Sequence, residues 1–401
     1  MERQPVRNAM DDKMPLLVLA WAMLIVLVTL FVLNASGYQG AQRLLSIDKD
    51  YANYWLASRL MLEGKVMNLF LGHDIYFAEM QAVFGPYYPW RSWSYPPSYL
   101  LLIFPLGLMP YGLSMLVFFA VTLAFYFHAI SLLVQRVSPL AVVLLVPFIL
   151  GNILYGQNGF MTGALILYGL GLRDRHPILA GLAIGLLTVK PQLGLLFPLL
   201  LLYERRWLVL ATAAATTIAL LMMSALLFGL ESWIGFFQHT VPHQSLVMQA
   251  LSGGFLDLLA SAYGQARLVG LPFNEAIIWH GAFAVLVFGL WLWSLPRVKD
   301  PLGRAYCFAA AGILVTPYSL AYDLGATSAL AALVASHISA HGAPANPKRL
   351  VFGLVATLPL LQLLIVWATD VSSSFILLFV GMLIVVFAAG AAHRGQVPVS
   401  H

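Results

Sequence analysis

Two carboxylates, Asp48 and Asp50, lie in Ser46-Ile-Asp-Lys-Asp-Tyr-Ala-Asn-Tyr-Trp55, directly after the first long apolar run of a strongly apolar chain. Ionisable groups held at a membrane face are costly, and their presence points to function. A carboxylate on the wall of a partly dry cavity is a competent general base near neutral pH. Asp50 is the expected base, with Asp48 as its alternate. The competing reading of Asp50 is a helix N-cap, since an amphipathic segment follows it and Asp is a favoured cap. Asp48-Lys49-Asp50 also has the form of a hard-cation site built from oxygen ligands, a lesser reading of the same residues.

Other polar groups interrupt the apolar runs. Lys190, followed by Pro191, sits between two half-length apolar stretches, where a lysine pairs with phosphate as a point charge or snorkels to the interface. Arg91, with Arg59 and Arg267, is a further outer-face cation able to reach a phosphate or diphosphate, the competing reading of each being simple surface display. Gly156-Gln157-Asn158-Gly159 offers flexible backbone and two amide side chains, Gln157 and Asn158, suited to sugar hydroxyls. Tyr318, Tyr322 and Asp323 cluster in one late loop. Tyr95 closes an aromatic run with Tyr87, Tyr88, Trp90 and Trp93, which reads either as an interfacial belt or as a platform for a sugar or lipid. The 231–272 loop contains His239, His243 and Asp257 without metal spacing and reads as a lid or surface helix. No HExxH, P-loop or GxGxxG motif is present, and neither a metal nor a cofactor is expected. Cys307 is the only cysteine, which excludes an intrachain disulfide and a cysteine metal cluster.

The elements that must position these residues follow from composition. The chain is 61% hydrophobic and 9% charged, with mean hydropathy +0.86, which makes it an all-α polytopic membrane protein. The formal net charge of +5 reflects basic loops rather than nucleic-acid binding. Apolar runs near 15–34, 112–134, 139–155, 158–172, 177–188, 191–203, 207–230, 273–295, 304–316, 323–338, 350–369 and 373–392 give about twelve spans. Basic residues orient them. The segment 1–14 and the tail 394–401 fall in the cytoplasm, and 15–393 forms one transmembrane domain. Its two large outer loops are 35–96, carrying a surface helix over 50–65, and 231–272. This topology requires that 96–109 not cross and that 177–203 cross twice, turning at Val189-Lys190-Pro191-Gln192. Asp50, Gln157, Lys190 and Asp323 then all face outward.

Five stretches carry a family resemblance: Asp50-Tyr51 with Tyr54, Ala57 and Gly64; Tyr95-Pro96-Pro97 with Pro105; Gly156-Gln157-Asn158; Gly181, Gly185 and Lys190-Pro191 followed by Arg205-Arg206-Trp207; and Thr316-Pro317-Tyr318 with Tyr322-Asp323. In this order, from about residue 45 to about 330, they resemble glycosyltransferase family 87, the polyprenyl-phosphate-mannose-dependent membrane mannosyltransferases. The resemblance implies a GT-C fold, an active site on the outer face of a bacterial inner membrane, and a catalytic aspartate in the first outer loop, which maps to Asp50. It implies a polyprenyl-phosphate sugar donor, a lipid or glycan acceptor, membrane lipids as surroundings, and inverting transfer without nucleotide sugar or metal. Where part of the family carries a late-loop histidine, this chain has Tyr322-Asp323, leaving the second polar catalytic residue and mannose itself open. The rival reading is a transporter or lipid flippase. It calls for inverted repeats and polar groups at mid-depth, whereas the polar groups here gather toward one face. A non-catalytic subunit of envelope-polysaccharide assembly is a third reading, and it would tolerate loss of Asp50.

Overall fold

The computed structural model describes residues 50–250, 254–341, 346–369 and 371–394. The expected first span, 15–34, and Asp48 lie outside the described residues. Among the described residues every element is helical, apart from one isolated antiparallel bridge between Leu259 and Leu320. Three helices are long and apolar enough to cross a membrane: Tyr111–Ser131, Trp207–Phe228 and Phe273–Ser294. In each, the backbone satisfies its own hydrogen bonds, as a hydrocarbon solvent demands. Shorter apolar helices, including Pro139–Tyr155, Gly159–Leu172 and Ser374–Ala389, fill other expected spans. Length and apolarity thus single out three candidate crossings among the described residues, and the figure of about twelve depends on counting the shorter helices too.

The two breaks required by the topology have a covalent cause. Helix Pro177–Leu186 tightens into a 3-10 turn, Leu187–Val189, and Lys190 leaves helical geometry at φ −139°, ψ 76°. Pro191 lacks an N–H and disfavours helical geometry at the residue before it, so the chain restarts there and continues as Phe197–Tyr203. Pro97–Ile103 and the 3-10 turn Phe104–Leu108 together make a bent segment too short to cross.

The helix Tyr51–Leu62 departs from expectation. The sequence places it in the headgroup plane, but Tyr51, Ala52, Asn53, Tyr54, Leu56, Ala57, Ser58 and Leu60 are all buried. Its polar atoms are absorbed by the bent segment and its successor. The Ser58 hydroxyl donates to Phe104 O (2.7 Å) and Trp55 Nε1 to Met109 O (2.9 Å), while the hydroxyls of Tyr51 and Ser114 lie 2.5 Å apart. Charge is confined to the exposed end, where Arg59 meets Glu63 at 3.2 Å.

Polar residues segregate to two ends of the bundle. At one end Glu204, nearly buried, accepts from Arg173 Nε (2.8 Å) and Arg304 Nη1 (3.2 Å), and Arg206 pairs with Asp174. Two of the helices that end here reach the Asp50 side at their far ends. Gly159–Leu172 runs from the Gln157-Asn158 turn to Arg173, and Pro301–Leu314 runs from the Arg304 side to Thr316. At the other end the second large loop is stitched to the late loop. Ala260 N–H donates to Ser319 O and Ala321 N–H to Leu258 O, both at 2.8 Å. Gln362 Nε2 donates to Asp257 O (2.6 Å) and Leu259 O (2.8 Å), tying this pairing to helix Pro347–Thr369.

Candidate active site

A cavity of about 490 Å³ opens between these loops, lined by Asp50, Arg91, Tyr95, Gln157, Lys190, Tyr318, Tyr322 and Asp323 among others. Eight of the residues singled out from sequence therefore meet in one place, although they are spread from 50 to 323. Asn158 does not line it; fully buried, it sits behind the wall.

Asp50 occupies the N-cap position of Tyr51–Leu62, yet its side chain makes no capping bond. Its backbone N–H instead donates to Tyr155 O (3.2 Å), which registers it against the end of helix Pro139–Tyr155. The carboxylate is left for the cavity, where Oδ1 lies 3.1 Å from Arg91 Nε and Oδ2 accepts from Gln157 Nε2. About a third of the side chain remains accessible (30%).

Gln157 owes its position to two glycines. Gly156 ends the preceding helix in the left-handed region (φ 71°, ψ 35°), which other residues adopt at a cost. Gly159 allows the late loop to close over the turn, since a Cβ there would stand 2.1 Å from Tyr322 O. Between them, Asn152 Oδ1 accepts from Gly159 N–H at 2.8 Å.

The hydrogen bonds behind the cavity wall run in one direction. An ionised carboxylate only accepts, so Gln157 must face Asp50 with its NH₂, leaving its carbonyl to accept from the Tyr54 hydroxyl (3.0 Å). With that proton committed, the 2.9 Å contact between Tyr54 and Tyr95 requires Tyr95 to donate. Asn158 Nδ2 in turn donates to both Tyr95 and Tyr99 (3.2 Å each). Every dipole in the series points toward Asp50, and such chains polarise one another. Burial raises the Tyr54, Tyr95 and Tyr322 hydroxyls well above their ordinary range, and Tyr318 is pushed up to about 12, mainly by desolvation. These tyrosines stay protonated near neutral pH and act as donors, not bases.

The second ion pair is drier. Lys190 Nζ lies 2.7 Å from Asp323 Oδ1, with side-chain exposures of 9% and 3%. Asp323 Oδ2 also accepts Leu320 N–H (3.2 Å), and the ammonium faces the rings of Tyr322 (5.1 Å) and Tyr95 (6.0 Å). Of the two carboxylates at the cavity, Asp50 is accessible and Asp323 is sealed. Among the described residues no group of three His, Cys, Asp or Glu side chains is arranged to hold a metal ion.

Sequence reasoning missed the linking residues Tyr54, Asn53 and Tyr99 as site components. Asn53 lines the cavity and accepts from Tyr76 at 2.6 Å. The spacing of Tyr95 and Tyr99, one helical turn apart beside two prolines, was the available signal. It also assigned no cavity contact to the 231–272 loop, which contributes Trp233, Phe236, Phe237 and Gln244 through a π-helical turn, Phe236–Thr240. Gln244 Nε2 donates to Ser92 Oγ (3.3 Å), closing the cavity mouth beside Arg91.

The profile of glycosyltransferase family 87 matches residues 93–317, more than half of the chain. The chain belongs to glycosyltransferase family 87. The match takes in Tyr95, Gln157, Asn158 and Lys190 and leaves Asp50, Arg91, Tyr322 and Asp323 outside its bounds. The chain is also similar to an α-(1→3)-arabinofuranosyltransferase of Mycolicibacterium smegmatis, 29% identical over 329 residues that cover 76% of this chain and 67% of the relative. No solved structure matches. With its membrane-spanning helices, this family 87 member is a membrane glycosyltransferase.

Proposed function

We propose that the protein transfers a glycosyl group from a polyprenyl-phosphate donor to a hydroxyl of a lipid or glycan acceptor, with inversion, on the outer face of the inner membrane. Asp50 is the general base. The acceptor oxygen attacks the anomeric carbon as Asp50 takes its proton, the bond from that carbon to the phosphate oxygen breaks, and polyprenyl phosphate departs with the electron pair. The leaving phosphate is anionic and needs no strong acid, so one accessible carboxylate suffices, unlike the paired carboxylates of glycoside hydrolysis.

The observation that carries this reading is the pairing of an accessible, oriented carboxylate with two cations, Arg91 and Lys190, on one cavity. The cations are the groups proposed to hold the donor phosphate. Arg91 does so by exchanging its contact with Asp50 for the phosphate, which frees the base once donor has bound. Gln157, Tyr95, Tyr318 and Tyr322 offer hydrogen bonds and ring faces to sugar and acceptor. Asn158 and Asp323 are assigned to support: one orients Tyr95, the other holds Lys190. Polar groups segregated to the bundle's two ends favour catalysis at one face over passage through the membrane.

The sugar is the open choice between a mannosyl group, which the family resemblance implies, and an arabinofuranosyl group, which the similar mycobacterial enzyme transfers by its name. Radiolabelled transfer from synthetic polyprenyl-phosphate mannose and polyprenyl-phosphate arabinofuranose, with wild type and Asp50→Asn compared, tests the whole reading. Transfer by the wild type, and its loss in the variant with donor binding retained, is the expected outcome. Undiminished turnover by Asp50→Asn would remove Asp50 from the chemistry, and absence of donor binding would return weight to a transporter.

A further inference from the structure

The end of the bundle remote from the cavity holds a second crevice of about 540 Å³ that the proposed chemistry does not use. Helix Gly325–His341 links the two. It begins two residues after Asp323 and brings Ile338 to the crevice, a separation of about 20–25 Å at 1.5 Å per residue. The crevice has two chemically distinct parts. Exposed Lys299 and Lys348, with Arg297, mark its mouth, and its walls are mainly apolar, with Ile338, Phe352 and Val385 beside His337 and Asn346.

The charge at the mouth is poorly balanced. Asp300 is the only carboxylate lining the crevice, and it is engaged as a helix cap, accepting Gly303 N–H at 2.6 Å. Among the described residues Arg297, Lys299 and Lys348 form no ion pair, and Lys299 and Lys348 are exposed. Three cations above an apolar slot complement a molecule with an anionic head and a hydrocarbon tail. Neither a free phosphate, which leaves the apolar walls wet, nor a neutral lipid, which leaves the cations unmatched, fits both parts.

We propose that this crevice is a binding site for an anionic glycerophospholipid of the leaflet it faces, with the headgroup phosphate at Arg297, Lys299 and Lys348 and an acyl chain along Phe352 and Val385. Basic pockets between transmembrane helices at the cytoplasmic face recognise such headgroups, and each juxtamembrane cation adds a similar increment. The site is separate from the donor cavity and needs no assumption about the sugar or the base.

The test is native mass spectrometry on the full chain in detergent, titrated in turn with phosphatidylglycerol, phosphatidylcholine and glycerol 3-phosphate. Phosphatidylglycerol is expected to be retained selectively. The double variant Lys299→Gln/Lys348→Gln should weaken it about 30-fold, the effect of two juxtamembrane cations. A second variant, Ala388→Trp, fills the slot and leaves the cations in place; it should also lower retention. Heating with a thiol dye that reports exposure of Cys307 confirms that each variant is folded. Equal retention of phosphatidylcholine, or unchanged binding in both variants, overturns the proposal. Glycerol 3-phosphate bound as tightly as the phospholipid also overturns it, making the mouth a soluble-anion site.

Discussion

Replacing Lys190 by Met should strand a carboxylate. Asp323 is 3% exposed and would keep only the 3.2 Å Leu320 N–H in place of an ammonium at 2.7 Å. Removing one member of a buried pair costs about 3–5 kcal/mol, because the other charge remains buried without its partner. Removing both charges is far cheaper. In Lys190→Met/Asp323→Asn the amide oxygen still accepts Leu320 N–H, so the double variant should recover about 2 kcal/mol or more of the single variant's loss. The protein contains its own reporter, since Cys307 is the sole cysteine and is fully buried. A thiol-reactive dye followed during heating should give a midpoint several degrees lower for Lys190→Met and one near wild type for the double variant. Glycosyl transfer then separates two roles. If Lys190 holds the donor phosphate, the double variant is stable but inactive. A Lys190→Met protein that melts with wild type would refute the reasoning, because the pair would then not be a desolvated one.

Gln157→Leu removes the hydrogen bond that orients Asp50 and a group offered to the sugar, so kcat/KM should fall about 10- to 100-fold. Steady-state kinetics with varied donor checks this. Gly159→Ala puts a Cβ 2.1 Å from Tyr322 O and should cost about 1–3 kcal/mol of stability while displacing the late loop, read as a lower Cys307 midpoint together with reduced transfer. His73 and His243 stack at 4.4 Å between ring centroids, joining helix His73–Phe84 to helix Val241–Ala250. Burial lowers both from the ordinary 6.5, and for His73 the neighbouring His243 adds to it, while Asp74 pulls the other way. The folded form thus binds fewer protons than the unfolded, and this contact's stability is complete above about pH 6.5 and is lost as pH falls below it. Protection of the 241–250 amides, measured relative to their intrinsic exchange rates, should fall on acidification to about pH 5.5, and His243→Phe, which leaves only His73 to titrate, should weaken that dependence.

Much of the site was legible because the chain is so apolar. Lys190, Gln157 and Asp323 interrupt hydrophobic runs at positions where an unmatched polar group is costly, so their convergence follows from topology and energetics together. The pairings were less legible. Arg91 was read as a phosphate ligand, and its contact with Asp50 depends on a loop path that no periodicity encodes. Gln157 and Asn158 are neighbours with the same chemistry, and only the turn at Gly156 decides that one faces the cavity and the other the tyrosines behind it. Tyr54 and Tyr99 were overlooked because an aromatic ring in an apolar chain carries no signal until its hydroxyl has a partner. The Asp50 helix misled for a related reason. Its surface reading rested on Arg59 and Glu63, which sit at one end, while Ser58, Trp55 and Tyr51 carry polar atoms that look solvent-bound until the 104–114 segment supplies acceptors.

The one-way series of donors ending at Asp50 has a consequence for the catalytic cycle. Among the described residues Gln157 gives an N–H to the carboxylate and Arg91 lies beside it as a cation, and the tyrosines beyond Gln157 are also oriented to give. A proton captured from the acceptor finds no lone pair waiting along this series, and passing it inward would require reversing each dipole in turn. On the proposed mechanism this route is closed to the proton, which must return through the cavity to water or to the departing phosphate. Recovery of the base then depends on what fills the cavity beside Asp50, a phosphate oxygen or water, and not on the tyrosines behind its wall.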